Sequence, residues 1–436
     1  MYFAYSFLLG LALIITLPWW LVQMLRAGKY RAGLAERLGG VPARLQATSD
    51  SENCIWVHAV SVGEVLAVSG LLATLRDKFP GWRIVISTTT LTGQKLARER
   101  YGEENVFYLP LDFGFALAPF LARLRPRMLV LAETEFWPNL LGLVRRSGAK
   151  IAVVNGRISD RSFPRYRRFR SLLRRVLENV DVFLAQSALD KDRLIAIGAD
   201  PARVQVSGNL KFDVKAPPQT KLVAQLRAAI PAGSPVLVCG STVEGEEPLL
   251  LAAFKELLAE TRDAVLVLAP RHPERFDAVV RQLTASALSF VRRTSWQGEA
   301  LTGKVVLLDT IGELASVYQL ATVAFVGGSL VPRGGHNILE PAQYGKPILV
   351  GPHTENFRDI VGIFTAEKAL RVTAASTVYY EWHLLLSSPQ MRDELGKRAL
   401  GVFTSQQGAT QRTLDALEVL LWMPSTVADR MREVRS

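Results

Sequence analysis

The stretch CIWVHAVSVGEV, residues 54–65, decides how the chain is read. Cys54–Val60 is an apolar run without polar alternation, the pattern of a strand covered on both faces in a parallel sheet. Ser61 and Gly63 are small turn residues, and Glu64 opens a helical pattern that runs to Lys78. Strand, tight turn, helix is the repeating unit of a doubly wound α/β domain. It recurs downstream in WRIVIST (82–88), MLVLAE (128–133), KIAVVNG (150–156) and VDVFLAQ (180–186), with helical stretches such as Leu140–Ser147 between them.

The series starts again beyond KAPPQT (215–220). PVLVCGS (235–241), AVLVLAPRHPERF (264–276), KVVLLDT (304–310), ATVAFVGGS (321–329) and KPILVGP (346–352) predict a second parallel sheet. The expected organisation is a membrane anchor over 1–25, a Rossmann-like domain over 26–214 and another over 215–436. Gly408–Leu421 reads as a terminal helix that can pack back on the first domain. Two such domains place a cleft between the carboxyl ends of their strands, where ligands bind.

The whole composition fits this picture. With 436 residues, 49% hydrophobic and 21% charged, disorder, collagen and a disulfide scaffold are excluded. Cys54 and Cys239 each lie in a buried-strand run and read as structural thiols, and no zinc spacing occurs. The net charge of +12 lies wholly in the first half: up to Phe212 there are 29 basic and 17 acidic residues, and beyond it 23 of each. A basic half calls for a polyanion, whether nucleic acid, phosphorylated substrate or anionic membrane.

Residues 2–25 carry no charge. As a helix they reach about 36 Å, enough to cross ~30 Å of hydrocarbon. Trp19 and Trp20 suit the interface, and Arg26, Lys29, Arg31 and Arg37 follow, which places the body on the cytoplasmic side. A buried or monotopic helix is the alternative, because Pro18 interrupts the run.

Polar residues gather where strands end. Gly240, Ser241 and Thr242 let main-chain N–H groups approach a phosphate, and Ser61 and Gly63 are candidate phosphate or acceptor contacts of the same kind. Arg271, after Pro270, is a fixed cation suited to phosphate. Asp309–Leu314 and Gly327–Ser329 close further strands, and Asn337–Glu340 enters a helix. Glu340 either answers the helix dipole or accepts from ribose hydroxyls. Glu64 is either a first-turn charge or a general base. His58 reads as a core histidine, Glu133–Glu135 as a cleft wall, and Lys211 as a surface or site cation. Eight arginines between Arg157 and Arg175, interleaved with Phe163, Tyr166 and Phe169, suit nucleic-acid or lipid phosphates. Asp190-Lys191-Asp192 lies in a helical stretch and reads as a solvated face rather than a metal site.

The motifs WVHAVSVGEV, ETEFWPN, NGRISDRS, GNLKFD, APRHPERF, GGSLVPRGGHNILEPA and GPHTENF, taken in order, resemble the 3-deoxy-D-manno-octulosonic acid (Kdo) transferases, over nearly the whole chain. The resemblance implies an α/β GT-B fold of two Rossmann-like domains facing a cleft. It implies inverting transfer of Kdo from CMP-Kdo to the lipid A precursor lipid IVA at the inner membrane, the domains being cytoplasmic. It implies no metal or other cofactor. Carried over by motif, Glu64 is the base, and Glu133 and Lys211 stabilise the transition state. Pro270, Arg271, Ile311, Gly312, Glu313, Asn337, Ile338, Leu339 and Glu340 form the CMP site. The basic half then faces an anionic membrane surface, with no nucleic-acid partner. The alternatives are a GT-B transferase for another nucleotide sugar, or a non-catalytic membrane protein that binds lipid or nucleic acid.

Overall fold

The computed structural model describes residues 2–27, 32–45, 53–214 and 220–422. Lys29, Arg31, the side chain of Arg26 and the linker residues 215–219 lie outside them. The chain forms two compact units, one of residues 1–213 and 407 onward, the other of residues 214–406.

The first unit is built on a seven-stranded parallel sheet: β1 (Cys54–His58), β2 (Arg83–Thr88), β3 (Val106–Tyr108), β4 (Met128–Ala132), β5 (Lys150–Gly156), β6 (Val182–Ala185) and β7 (Val204–Val206). Their order is β3-β2-β1-β4-β5-β6-β7. The order reverses between β1 and β4, the crevice in which open α/β sheets bind ligands. Both faces are covered, as the uninterrupted apolar runs require. Trp56, Leu129, Ile151 and Phe183 pack on one side, and Ile55, Val57, Val130 and Ala152 on the other.

The second unit repeats the plan with β8 (Val236–Thr242), β9 (Val265–Pro270), β10 (Phe290–Arg292), β11 (Val305–Leu307), β12 (Val323–Val326), β13 (Ile348–Val350) and β14 (Arg371–Val372). The order is β10-β11-β9-β8-β12-β13-β14, all parallel, with its reversal between β8 and β12.

Three sequence expectations need amendment. The stretch after β1 is two helices, Val62–Ala67 and Ser69–Lys78, rather than one, with Val68 between them. Four strands were not anticipated: β3, β7, β10 and β14. All four are the outermost strands of their sheets and span two or three residues. An edge strand has one neighbour, so it needs no long apolar run. Third, the segment 215–436 is not one unit: from Gln407 on the chain belongs with the first sheet, the terminal helix packing back on the first domain as the sequence allowed. The helix Ala409–Trp422 buries Ala409, Leu414, Leu417, Leu420 and Leu421 against Leu71, Leu72 and Leu75. Asp213 fixes its start, accepting from Gly408 N at 2.7 Å and from Thr410 N. Cys54 and Cys239 are buried free thiols.

Candidate functional site

In the first unit, the loops after β1 and β4 flank the sheet's reversal point. Glu64 lies in the first turn of Val62–Ala67 and turns its carboxylate back on that turn. Its Oε2 accepts from Val60 N at 2.8 Å and its Oε1 from the Ser61 hydroxyl at 3.2 Å. Those bonds are ordinary service for an acid at a helix start. Its surroundings are not ordinary. Burial, aided by the negative charges of Glu133 and Glu135, outweighs the two hydrogen bonds and pushes the carboxyl up to about 7. A carboxyl poised there is half ionised near neutrality, as a general base should be.

Glu133 follows β4 with φ +58°, a left-handed conformation that non-glycine residues rarely adopt. Its N–H is anchored to Val154 O at 2.9 Å, and Thr134 is anchored through its hydroxyl to Arg157 O at 3.0 Å. A strained acid at a strand end is the kind of outlier that clusters at functional sites. The Lys211 ammonium lies 3.9 Å from Glu133 Oε1. A polar chain behind it sets the backbone: Asn155 Oδ1 accepts from Leu210 N, Asn209 Oδ1 from Lys211 N, and Asn209 Nδ2 donates to Gln186, each at 3.0 Å. Burial, then the charge of Glu133, also raises Glu135. Glu64, Glu133, Glu135 and Lys211 thus form one electrostatic cluster. His58 does not belong to it. It is buried, its Nδ1 is 2.9 Å from the Ser87 hydroxyl, and burial lowers it to about 4, so it is a neutral core residue. Asp190 is not a solvated face: its carboxylate accepts from Ile158 N at 3.1 Å and the Ser187 hydroxyl at 2.6 Å, tying the loop after β5 to the helix after β6.

In the second unit the polar loops again sit at the carboxyl ends of β8, β9, β11 and β12. Gly240 lies two residues before the end of β8, where a Cβ would stand 2.0 Å from the Tyr318 hydroxyl, so no side chain fits. Ser241 follows with φ +55°. Arg271 is exposed beside Pro270, its N–H held by Thr242 O at 2.9 Å. Its positive charge opposes the burial that raises Glu340. Asn337 braces Glu340, donating to Oε1 at 3.4 Å while its own oxygen accepts from Leu339 N at 3.1 Å. Ile338 and Leu339 turn their side chains into the core, and their carbonyls accept from Ala342 N and Gln343 N. In the β11 loop, Glu313 is committed to Arg293 at 3.1 Å and to the Thr310 hydroxyl. Ile311, 67% exposed, and Gly312, at φ +90°, are what that loop presents outward.

The most heavily bonded acid of this unit had no place in the sequence reading. Glu246, buried, accepts from Val243 N at 3.0 Å, Gly328 N at 2.7 Å, and Ser329 N and Leu330 N at 2.9 Å. It stitches the loops after β8 and β12 across the sheet's reversal point. Beside it Glu247, also buried, pairs with Arg275 at 2.6 and 3.0 Å and accepts from the Thr242 hydroxyl at 3.0 Å. The only local signal was the acid pair itself, which resembles any solvated helix start. Gly328 has φ +69°, and a Cβ there would meet the His336 ring at 2.8 Å. A cavity of about 840 Å³ lies at the opposite, amino end of the strands, beside Pro235, Thr322 and Pro347, away from these loops.

Known proteins resemble this chain in sequence and in fold. The family model described as 3-deoxy-D-manno-octulosonic-acid transferase (kdotransferase) matches residues 32–214. A 3-deoxy-D-manno-octulosonic acid transferase of Bordetella pertussis is 38% identical over 94% of this chain and 96% of its own. One of Haemophilus influenzae is 32% identical over 91% of this chain and 93% of its own. Among solved structures, a glycosyltransferase from Rickettsia africae covers 86% of this chain and 100% of its own with a TM-score of 0.55 at 12% identity, a likeness of fold.

Proposed function

The chain belongs to the Kdo transferase family and is a glycosyltransferase of GT-B fold acting in lipopolysaccharide biosynthesis, and from that premise we propose that it moves Kdo from CMP-Kdo to the lipid A precursor lipid IVA with inversion, using Glu64 as general base. The observation that carries the proposal is the Glu64 carboxyl, held up to about 7 at the reversal point of the first sheet.

A sugar hydroxyl of the acceptor ionises only far above neutral pH, so it attacks well only if its proton leaves as the bond forms. Glu64 takes that proton. The bond from the acceptor oxygen to the anomeric carbon forms on one face while the bond to the CMP phosphate breaks on the other. A single displacement of this kind inverts the centre and needs no covalent intermediate. Positive charge grows on the anomeric carbon and negative charge on the departing phosphate. Glu133 is the acid suited to the first and Lys211 and Arg271 the cations suited to the second, each gaining most in the transition state. Glu340, kept in place by Asn337, suits the ribose hydroxyls of CMP. Ser241 and the Ile311–Glu313 loop offer main-chain contacts to the nucleotide, while Ser61 and Gly63 do so for the acceptor. In this reading no metal takes part, the leaving phosphate being neutralised by side chains.

Incubating the protein with CMP-Kdo and lipid IVA should release CMP and give a lipid carrying Kdo. Inhibition of transfer by UDP as strong as that by CMP would favour a transferase for another nucleotide sugar. The membrane reading rests on Tyr2–Trp20, which is long and apolar enough to cross a bilayer. We place the protein at the inner membrane with its globular units on the cytoplasmic side.

A further inference from the structure

The helix Tyr2–Ala27 has two unlike sides. Tyr2, Tyr5, Ser6, Leu9, Gly10 and Leu13, spaced as one helical face, are half-buried, whereas Phe3, Phe7, Ile14 and Ile15 are 85%, 64%, 69% and 69% exposed. The half-buried face is docked on the first unit by polar bonds. Asn139 Nδ2 donates to the Ser6 hydroxyl at 2.9 Å, and Asn179 Nδ2 donates to the Tyr2 hydroxyl at 3.0 Å. The Tyr5 hydroxyl bonds to Asp112. The Arg146 guanidinium lies 5.8 Å from the Tyr2 ring centre. Gly142 leaves room for that ring, since a Cβ there would stand 3.0 Å from it.

The knot is built, not incidental. Asp112 is buried and also accepts from Asn139 N at 3.0 Å and Leu140 N at 2.7 Å, so the group that holds Tyr5 also starts the helix Pro138–Arg146. Polar bonds of this kind are out of place on a segment wrapped by lipid on all sides.

The other end of the helix is tied to the same unit by the chain. Ala27 and Ala32 are at most ~18 Å apart along the backbone. Just beyond, Gly33 packs on the Tyr108 ring, and Arg37 O accepts from Leu111 N at 2.8 Å. Both ends are therefore held to the first unit, the first by Asp112, Asn139 and Asn179 and the last by a stretch shorter than the ~30 Å hydrocarbon. A helix that crosses ~30 Å of hydrocarbon puts its ends on opposite faces. This one cannot do so while Tyr2, Tyr5 and Ser6 keep their partners.

We propose that the helix Tyr2–Ala27 does not cross the bilayer, but lies against the first unit and seats its Phe3, Phe7, Ile14 and Ile15 face in a single leaflet, with both ends on the side of the globular body. The inference rests on the membrane reading above and sharpens it from a span to a monotopic seat. The surface beside the Tyr2 end suits a headgroup layer. Asn179 follows the helix Arg170–Leu177, whose Arg170, Arg174 and Arg175 are exposed with Leu172 and the preceding Phe169. Basic side chains beside exposed apolar ones fit anionic lipid.

The test uses the full chain in sealed vesicles of phosphatidylethanolamine and phosphatidylglycerol. A tag bearing one cysteine is added ahead of Met1, and in a second protein Ala202→Cys marks the exposed surface of the first unit. The native cysteines are buried and serve as silent background. A membrane-impermeant maleimide, applied before and after detergent, gives the outward fraction of each site. The inference expects the two fractions to be equal, whatever the mixture of orientations. Complementary fractions, one site outward where the other is inward, would overturn it while leaving membrane attachment intact. A protein that stays in the supernatant when the vesicles are pelleted would overturn the membrane reading and the inference together.

Discussion

At Glu64 a carboxyl is asked to be both ionisable near neutrality and close to other acids. Burial and the charges of Glu133 and Glu135 lift it to about 7. The general-base reading then fixes the pH dependence: kcat/KM should rise with pH through about 7 as the carboxyl ionises, and level off above it. Glu64→Ala should lower kcat by roughly 10²- to 10⁴-fold. CMP affinity should be preserved, since the nucleotide residues belong to the second unit. Turnover within threefold of normal in Glu64→Ala would remove the base from the mechanism. The same shift has a stability consequence of definite sign. The folded pKa lies above the ordinary 4.5, so the group favours the fold at low pH and this contribution is lost as pH rises through about 7. Glu64→Gln removes the ionisation, so thermal melts should show the variant gaining a few degrees on the parent at pH 8.5 and little at pH 5. An equal gain at both values would show that the carboxyl is not destabilised by burial.

At the scale of elements, the sheets' reversal points are where charge is concentrated and where order must be imposed. Glu246 does this in the second unit by satisfying four main-chain N–H groups on two loops. Glu246→Ala leaves those donors buried and unpaired, and a loss of ~3 kcal/mol is expected in urea unfolding, with weakened CMP binding. A fall in stability without any change in CMP affinity would mean that the loops do not carry the nucleotide. These acids also mark what could be read from sequence and what could not. The central strands declared themselves as apolar runs because both faces are covered. The turn residues Glu64, Glu133 and Arg271 declared themselves by lying at strand ends. Glu246 and Asp112 did not, since each acquires its role from groups distant in sequence: Glu246 from residues 328–330, Asp112 from Tyr5 and Asn139. The edge strands β3, β7, β10 and β14 were hidden for the opposite reason, being too short to show a pattern.

For the molecule as a whole, the charge imbalance and the reaction meet in the first unit. Its residues up to Phe212 carry the entire excess of +12, together with the apolar helix and the arginine-rich helices. Vesicle binding should therefore weaken when phosphatidylglycerol is replaced by a neutral lipid or when salt is raised, while a residual apolar component persists. Binding that ignores lipid charge would assign the arginines another role. The proposed chemistry calls on side chains to neutralise the leaving phosphate, so initial rates should be unchanged by excess EDTA, and a rate abolished by EDTA and restored by a divalent cation would replace that part of the account. The most direct measurement remains the transfer itself: mass spectrometry of the lipid after incubation of the full chain with CMP-Kdo and lipid IVA, beside Glu64→Ala. The account predicts Kdo-bearing lipid and free CMP with the parent protein, and almost none with the variant. Unaltered lipid IVA and intact CMP-Kdo with the parent protein would contradict it.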